Sequence, residues 1–260
     1  MIKKYGTVLG LILGIFSIFG AFLIEGGSLS ALFLIAPIII VFGGTFSATI
    51  IGVGLDKFKS VITLAKKAYF PQKFDYKKLI TDYFVISIKS RRDGILSIEQ
   101  DLKSIEYHFP RKLVRFVIDG ADSNQIENMA LLEMKAMQER HYSNASIFSK
   151  MGGYAPTMGI LGTVMALIMT LANAGSDPDL LIKNIASAFI ATLWGVLTAN
   201  LLWLPIGDKL KKCHLEEKNM MELSLEGTLA LQNGEIPSVL KARMISLLPQ
   251  REQTEILDFS

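Results

Sequence analysis

Four stretches of the chain, residues 5–24, 32–54, 155–176 and 185–207, contain no Asp, Glu, Lys or Arg and are dominated by apolar positions. Each is 20 or more residues long. At 1.5 Å per residue that is enough helix to cross a hydrocarbon core about 30 Å thick. A helix also satisfies its own backbone hydrogen bonds in lipid, so the pattern predicts four transmembrane helices.

Outside these stretches the apolar positions fall at helical period. Leu79, Ile80, Tyr83, Phe84 and Ile88 predict a helix that stops at Arg91, Arg92 and Gly94. Ser97 with Gln100 has the spacing of a capping box and predicts a second helix carrying Ile98, Leu102 and Ile105, interrupted at Pro110. A third starts at Asp122 or Ser123, with Ile126, Met129, Ala130, Met134 and Met137 along one side, and runs toward the third apolar stretch. After the fourth stretch a helix is predicted over 208–231, ended by Asn233-Gly234. A last helix opens with Gly234-Glu235-Ile236-Pro237 and closes before Pro249, leaving a polar tail over 250–260. No alternation is long enough to predict a sheet. The fold class is therefore an all-α integral membrane protein: four transmembrane helices, a helical cytoplasmic domain between spans two and three, and a helical C-terminal tail.

Composition sharpens this picture. Of 260 residues, 50% are hydrophobic and only 20% charged, with mean hydropathy +0.38, which excludes an ordinary soluble domain. The first apolar stretch follows Lys3 and Lys4 but is longer than the core of a signal peptide and has no A-x-A pattern after it, so it is expected to remain as a span. Residues 55–154 carry 17 basic and 12 acidic side chains, and 208–212 carry three Lys. The links at 25–30 and 177–184 hold no basic residue and one, respectively. Basic residues collect on the cytoplasmic side, so both termini and the middle region are expected there. The chain then divides into a lipid-facing two-helix hairpin (1–54), a cytoplasmic domain (55–154), a second transmembrane pair (155–207) and a cytoplasmic tail (208–260).

Charge and cysteine content narrow the function. The net charge of +3 is explained by this topology and does not point to nucleic acid. One cysteine, Cys213, forms no internal disulfide, and three scattered histidines give no metal-ligand spacing, so neither a metal nor a cofactor is expected. No nucleophile, base and oxyanion set and no phosphate-binding glycine loop marks an enzyme.

An ion carrier within a span would be a carboxylate or histidine, and the four stretches have none. They do have small and hydroxyl side chains at helical spacing. Gly159, Thr163, Ala166, Thr170 and Ala174 share one face in the third; Ala188, Ala191, Thr192, Gly195, Thr198 and Ala199 do so in the fourth. Such stripes let neighbouring helices approach closely. They equally suit a seam for a transmembrane helix of another chain that brings the ionisable group, with Thr163 and Thr192 beside a hydrated path. The first two stretches are bulkier and read as the lipid-facing pair. Pro156 reads as a first-turn proline, whereas Pro205 removes a hydrogen bond near the end of the fourth stretch and is a candidate hinge.

Several motifs carry a family resemblance: Gly26-Gly27-Ser28-Leu29, the run Ser90-Arg91-Arg92-Asp93-Gly94-Ile95-Leu96-Ser97-Ile98-Glu99, and Val117-Ile118-Asp119-Gly120. Ala155-Pro156-Thr157-Met158-Gly159-Ile160-Leu161-Gly162-Thr163-Val164 and Gly234-Glu235-Ile236-Pro237 follow in the same order. Together they resemble the MotA family of flagellar motor stator subunits, which is related to ExbB and TolQ. The resemblance implies a homo-oligomeric ring, a pentamer, in the membrane lipid around single-span MotB-like subunits. An aspartate of MotB would carry the ion, H⁺ or Na⁺ with H⁺ favoured, and ion flux would become torque on the rotor protein FliG. It implies that Arg91 and Glu99 face the rotor, that Pro156 and Pro205 couple ion flow to movement, and that Thr163 and Thr192 lie near the MotB aspartate. The location implied is the bacterial inner membrane, at the flagellar basal body. Arg91 and Glu99 also read as charges complementing the ends of two helices. An ExbB- or TolQ-like subunit driving an envelope partner is the alternative, disfavoured by the N-terminal hairpin. A secondary transporter is the more distant one, since inverted repeats and broken charged helices are missing from the sequence.

Overall fold

A computed structural model describes residues 2–173, 175 and 178–257. Ala174, the last position of the small-residue face in the third span, lies outside the described residues. Every regular element among them is helical. Four helices are long and apolar enough to cross a membrane: Gly6–Ile24, Ile35–Val53, Ser123–Ala172 and Pro178–Gln232. The chain forms two compact units, one of residues 1–71 and 141–212 and the other of 72–140 and 213–260.

In the first unit, which holds the spans, the first span buries no side chain. Phe16 and Ile24 are among its most exposed residues, at 77% and 88%. The second span is different. Pro37, Val41, Thr45 and Thr49 recur every four residues and are all buried, so this helix has an inner face as well as a bulky outer one. Thr45 Oγ1 donates to the carbonyl of Val41 and Thr49 Oγ1 to that of Thr45, at 2.5 and 2.7 Å, which satisfies both hydroxyls within the helix. A π-helical turn interrupts the second span at Ile39–Gly43 and the fourth at Ala199–Trp203. The remaining core gathers Ile147, Phe148, Met151, Ala155, Trp203 and Ile206. Trp194 Nε1 donates to the carbonyl of Leu32 at 2.8 Å, and its ring lies beside Phe33 and Phe42.

The second unit begins with the helix Tyr76–Asp93, capped by Asp75, whose carboxylate accepts from the Lys78 amide at 2.9 Å. Its buried stripe is Leu79, Ile80, Tyr83, Ile86 and Ser87. Ile88, expected on that stripe, is 43% exposed, because the helix turns 100° per residue and places Ile86 and Ser87, not Ile88, one turn beyond Tyr83. Gly94, at φ +86, ends the helix.

The capping box expected at Ser97 does not form. Ser97 Oγ instead donates to the carbonyl of Gly94 at 2.6 Å, and Ile95–Lys103 is a 3-10 helix rather than an α-helix. The Ser97 side chain is directed back at Gly94, and its oxygen accepts from no amide of the turn ahead. The capping box is found two helices later: Asp122 Oδ1 accepts from the Gln125 amide at 2.9 Å and Gln125 Oε1 accepts from the Asp122 amide at 3.1 Å. This opens the helix Ser123–Ala172, which runs without a break through the third span. Ile126, Ala130, Met134 and Met137 are buried along it, but Met129 is exposed.

Between these elements, His108–Ile118 buries Phe109, Leu113, Val114 and Val117. The helix Leu204–Gln232 ends in a Schellman turn: the Gly234 amide donates to the Leu231 carbonyl and the Glu235 amide to that of Ala230, with Gly234 at φ +66. Pro237–Ser246 starts with its proline in the first turn and packs on Tyr76–Asp93. Gln250–Leu257, part of the tail after Pro249, is a further short helix. The large side chains Leu79, Tyr83, Ile98, Ile126, Leu223 and Met244 make one core.

Candidate functional site

The third and fourth spans cross on glycines. A Cβ placed on Gly159 would stand 2.8 Å from the carbonyl oxygen of Ala191 and 3.3 Å from the Cα of Gly195. One placed on Gly195 would stand 2.7 Å from the carbonyl oxygen of Ala155 and 3.1 Å from the Cα of Gly159. Backbone meets backbone at this point, and only residues without a side chain permit it. One turn further, Gly162 faces Ala191 closely enough that its own Cβ would lie 2.7 Å from that methyl.

This close approach brings two hydroxyls together. Thr163 Oγ1 and Thr192 Oγ1 are 2.5 Å apart, and Thr163 Oγ1 is also 3.0 Å from the carbonyl of Ala188 and 3.1 Å from that of Gly159. A hydroxyl has one hydrogen. When Thr163 gives its hydrogen to either carbonyl, Thr192 donates to Thr163, and the oxygen of Thr192 keeps its lone pairs open. Both threonines are half-buried, as is Ala166, while Gly159, Ala188, Ala191 and Gly195 are buried. The structure therefore gathers Gly159, Thr163, Thr192 and Gly195 into one crossing, with Ala166 one turn along the same face. Thr170 turns its hydroxyl back to the Ala166 carbonyl at 2.9 Å.

Pro156 is not a first-turn proline. It lies inside the helix Ser123–Ala172 because the segment before it, expected to approach the span, is continuous with it. Its missing amide leaves the carbonyl of Gly152 without the usual donor, and the carbonyl of Ala155, the residue before it, faces Gly195. Pro205 comes directly after the π-helical turn Ala199–Trp203, where the Leu204 amide reaches back five residues to the Ala199 carbonyl. The missing Pro205 donor and the wide turn form one irregular stretch. Pro205 also lines an apolar cavity of about 290 Å³ with Gly6, Gly10, Ala68 and Leu201.

Arg91 and Glu99 belong to the second unit and are both exposed. Arg91 is in the last turn of its helix, and its Nη1 donates to the carbonyl of Gly234 at 3.2 Å. Its neighbour Arg92 is committed to Asp93 through bonds of 2.8 and 2.9 Å, which hold that carboxyl below its ordinary pKa. Glu99 lies within the 3-10 helix, so it has no first turn of an α-helix to complement. Thr45, Thr49 and Trp194, which also order the spans, were not singled out by sequence. The signal for the two threonines was a four-residue recurrence in the second span, hidden by the surrounding Ile and Phe.

Comparison with known proteins gives this geometry a class. The sequence pattern described as "MotA/TolQ/ExbB proton channel family" matches residues 101–223, and that described as "Motility protein A N-terminal" matches residues 8–94. The chain belongs to the MotA/TolQ/ExbB proton channel family. It is 31% identical to Motility protein A of Bacillus subtilis (strain 168) over 253 residues, 97% of this chain and 93% of that protein. It is 32% identical to Motility protein A of Treponema phagedenis, covering 92% and 94% of the two chains. Among solved structures, the flagellar MotAB stator complex from Bacillus subtilis superposes with a TM-score of 0.89 at 31% identity, covering 96% of this chain and 98% of that one.

Proposed function

We propose that this chain is a flagellar motor stator subunit that, with a MotB-like single-span partner, conducts a cation across the membrane and converts its flux into torque on the rotor. The observation that carries the reading is the uncharged crossing of the third and fourth spans. Its paired hydroxyls, Thr163 and Thr192, lie in the two apolar stretches 155–176 and 185–207, which hold no Asp, Glu, Lys, Arg or His of their own. Such a pair is half of an ion path, and an acidic side chain from another chain completes it. The likeness to the MotAB stator complex over nearly the full length supports the same partner class and an oligomeric assembly. The match of residues 8–94 to the motility protein N-terminus favours this member over an ExbB- or TolQ-like one.

The finer parts of the proposal follow from these. The ring is a pentamer in the inner membrane with both termini cytoplasmic, the rotor partner is FliG, and Arg91 and Glu99, both exposed, face it. Pro156 and Pro205 are the coupling prolines, each removing a backbone donor from a span that has to move. The ion is H⁺, as the family's description suggests, passing beside Thr163 and Thr192. The lipid faces the exposed side chains of the first span.

Deletion of the chain from a strain with no second stator is the test. The expected result is assembled but paralysed flagella, with swimming restored by the wild-type chain. The Thr192→Leu variant should reach the membrane at normal levels and restore none. Normal swimming in the deletion strain would overturn the motor assignment, and full rescue by Thr192→Leu would remove this hydroxyl from the ion path.

A further inference from the structure

The helix His108–Ile118 is divided sharply. Phe109, Leu113, Val114 and Val117 are buried on one side. His108, Arg111, Lys112 and Arg115 follow each other at steps of three, one and three residues on the other, the spacing of a single helical face. Across from it stands the 3-10 helix Ile95–Lys103, which contributes Glu99 and Lys103 to the opposite wall. The two elements flank an open cleft of about 560 Å³.

Four fixed cations, Lys103, Arg111, Lys112 and Arg115, surround this cleft against one lining carboxylate, Glu99. Position in a last turn, where a cation complements the dipole, accounts for Lys103 and Arg115; it does not account for Arg111 and Lys112, and like charges three and four residues apart repel. Two are held in place from outside the cleft. Arg111 Nε and Nη2 donate to the Ile105 carbonyl at 3.1 and 2.5 Å, and Lys112 Nζ donates to Glu133 at 2.7 Å. The other two are barely engaged. Arg115 meets Asp119 only at 4.0 Å with both side chains exposed, and Lys103 has no ion-pair partner among the described residues.

We propose that this cleft binds a phosphorylated small molecule of nucleotide size. The volume falls within the range of about 300 to 1,000 Å³ usual for small-molecule sites. With Lys112 paired to Glu133, the remaining Lys103, Arg111 and Arg115 against Glu99 leave an excess of two positive charges, which suits a diphosphate, and a guanidinium already fixed by a carbonyl loses little freedom on meeting phosphate. Leu102 gives the rest of the ligand an apolar surface. The walls come from two short neighbouring elements rather than from a long groove, which favours a compact ligand over an extended acidic peptide. The assignment stands independently of how the spans carry ions.

The test uses the full complex with its single-span partner, purified into lipid nanodiscs and titrated with ADP, inorganic pyrophosphate and hexaglutamate at about 0.1 M salt. The expected result is saturable binding of ADP and pyrophosphate at one site per chain. The double variant Lys103→Gln/Arg115→Gln should weaken both at least tenfold. Lys241→Gln, which removes a basic group standing 5.6 Å over the Phe84 ring and away from the cleft, should leave both unchanged. Three results overturn the proposal: no saturable binding of either phosphate, unchanged affinity in the double variant, or binding of hexaglutamate in place of the phosphates. Pyrophosphate binding without ADP binding overturns the nucleotide-sized part.

Discussion

The crossing of the third and fourth spans and the core around Tyr83 solve the same packing problem with opposite materials. At the crossing the contact residues are Gly159, Gly162, Ala191 and Gly195, and backbone atoms approach one another directly. In the second unit the contact residues are large: Leu79, Tyr83, Ile98, Leu113, Ile126 and Leu223 are almost entirely shielded from solvent. The difference follows from the surroundings. Water makes burial of large apolar surfaces favourable, at about 25 cal/mol per Å². Lipid tails are as apolar as leucine, so bulky side chains gain nothing there by leaving them, and close contact with hydrogen bonding carries the association. Polar groups follow the same division. Tyr83 is fully buried and satisfied by the Ser224 carbonyl at 3.0 Å and Thr228 Oγ1 at 2.8 Å, fixed inside a core. Thr163 and Thr192 are only half-buried, at a surface where another helix can reach them.

The largest effect expected from breaking this contrast is on the core. Tyr83→Ala removes a fully buried ring together with its hydroxyl and should cost about 3–5 kcal/mol, as aromatic truncations in cores do. Hydrogen exchange on the detergent-solubilised complex is the measurement. Amides of Tyr76–Asp93 should lose protection while those flanking Gly159 and Gly195 keep theirs. Equal loosening of the spans would show that the two regions do not stabilise independently.

A smaller change, a single methyl, tests the other side. Gly195→Ala places a carbon 2.7 Å from the Ala155 carbonyl oxygen, with backbone on both sides and no flexible side chain to yield. The cost expected is about 1–3 kcal/mol, the range for overpacking, and it falls on the crossing alone. Stator function should be reduced and the thermal unfolding of the complex lowered, with protection of Tyr76–Asp93 unchanged. The same methyl added at Gly153, where nothing lies within 4 Å, should do neither. A tolerated Gly195→Ala would mean that the helices separate freely and that their contact is not what positions the threonines.

The contrast also explains how much was legible beforehand. The spans were readable because the absence of charge over 20 residues has few other meanings, and the small-residue faces because they keep a helical period. Gly159, Thr163, Thr192 and Gly195 do meet. What the period could not give was which partner each face meets: the inner face of the second span, Pro37 to Thr49, was masked by bulky neighbours that point elsewhere. The errors in the second unit are local competitions. Ser97 had the spacing of a cap, but its side chain is directed back at the Gly94 carbonyl and the segment is a 3-10 helix, and the reciprocal pair formed at Asp122 and Gln125 instead. Pro156 was misread because the helix boundary was drawn at the edge of the apolar stretch, and a helix pays no attention to where hydropathy changes. The basic face from His108 to Arg115 needed the structure as well, since the 3-10 helix that flanks the cleft was expected to be an α-helix.

The smallest predicted effect separates the two regions by chemistry rather than by size. Burial pushes the pKa of the Tyr83 phenol up from 10, and burial together with the nearby Glu252 and Glu216 carboxylates pushes that of Tyr76 up to about 12. A phenol whose folded pKa is raised keeps its proton in the folded state after the unfolded chain has begun to lose its own. The stability associated with these neutral phenols is therefore complete below about pH 10 and falls as pH rises toward 12. Threonine does not titrate in this range, so the crossing has no such limb. Tyr83→Phe at neutral pH should cost only about 1 kcal/mol, the net worth of one hydrogen bond, because the Ser224 carbonyl retains the Thr228 hydroxyl at 2.7 Å as donor. Its sharper consequence lies in the slope. Exchange protection of Tyr76–Asp93, followed from pH 9 to 11, should decline less steeply in the variant than in the wild type, while protection around Gly159 responds to neither. An identical decline in both proteins would place the alkaline sensitivity somewhere other than this core.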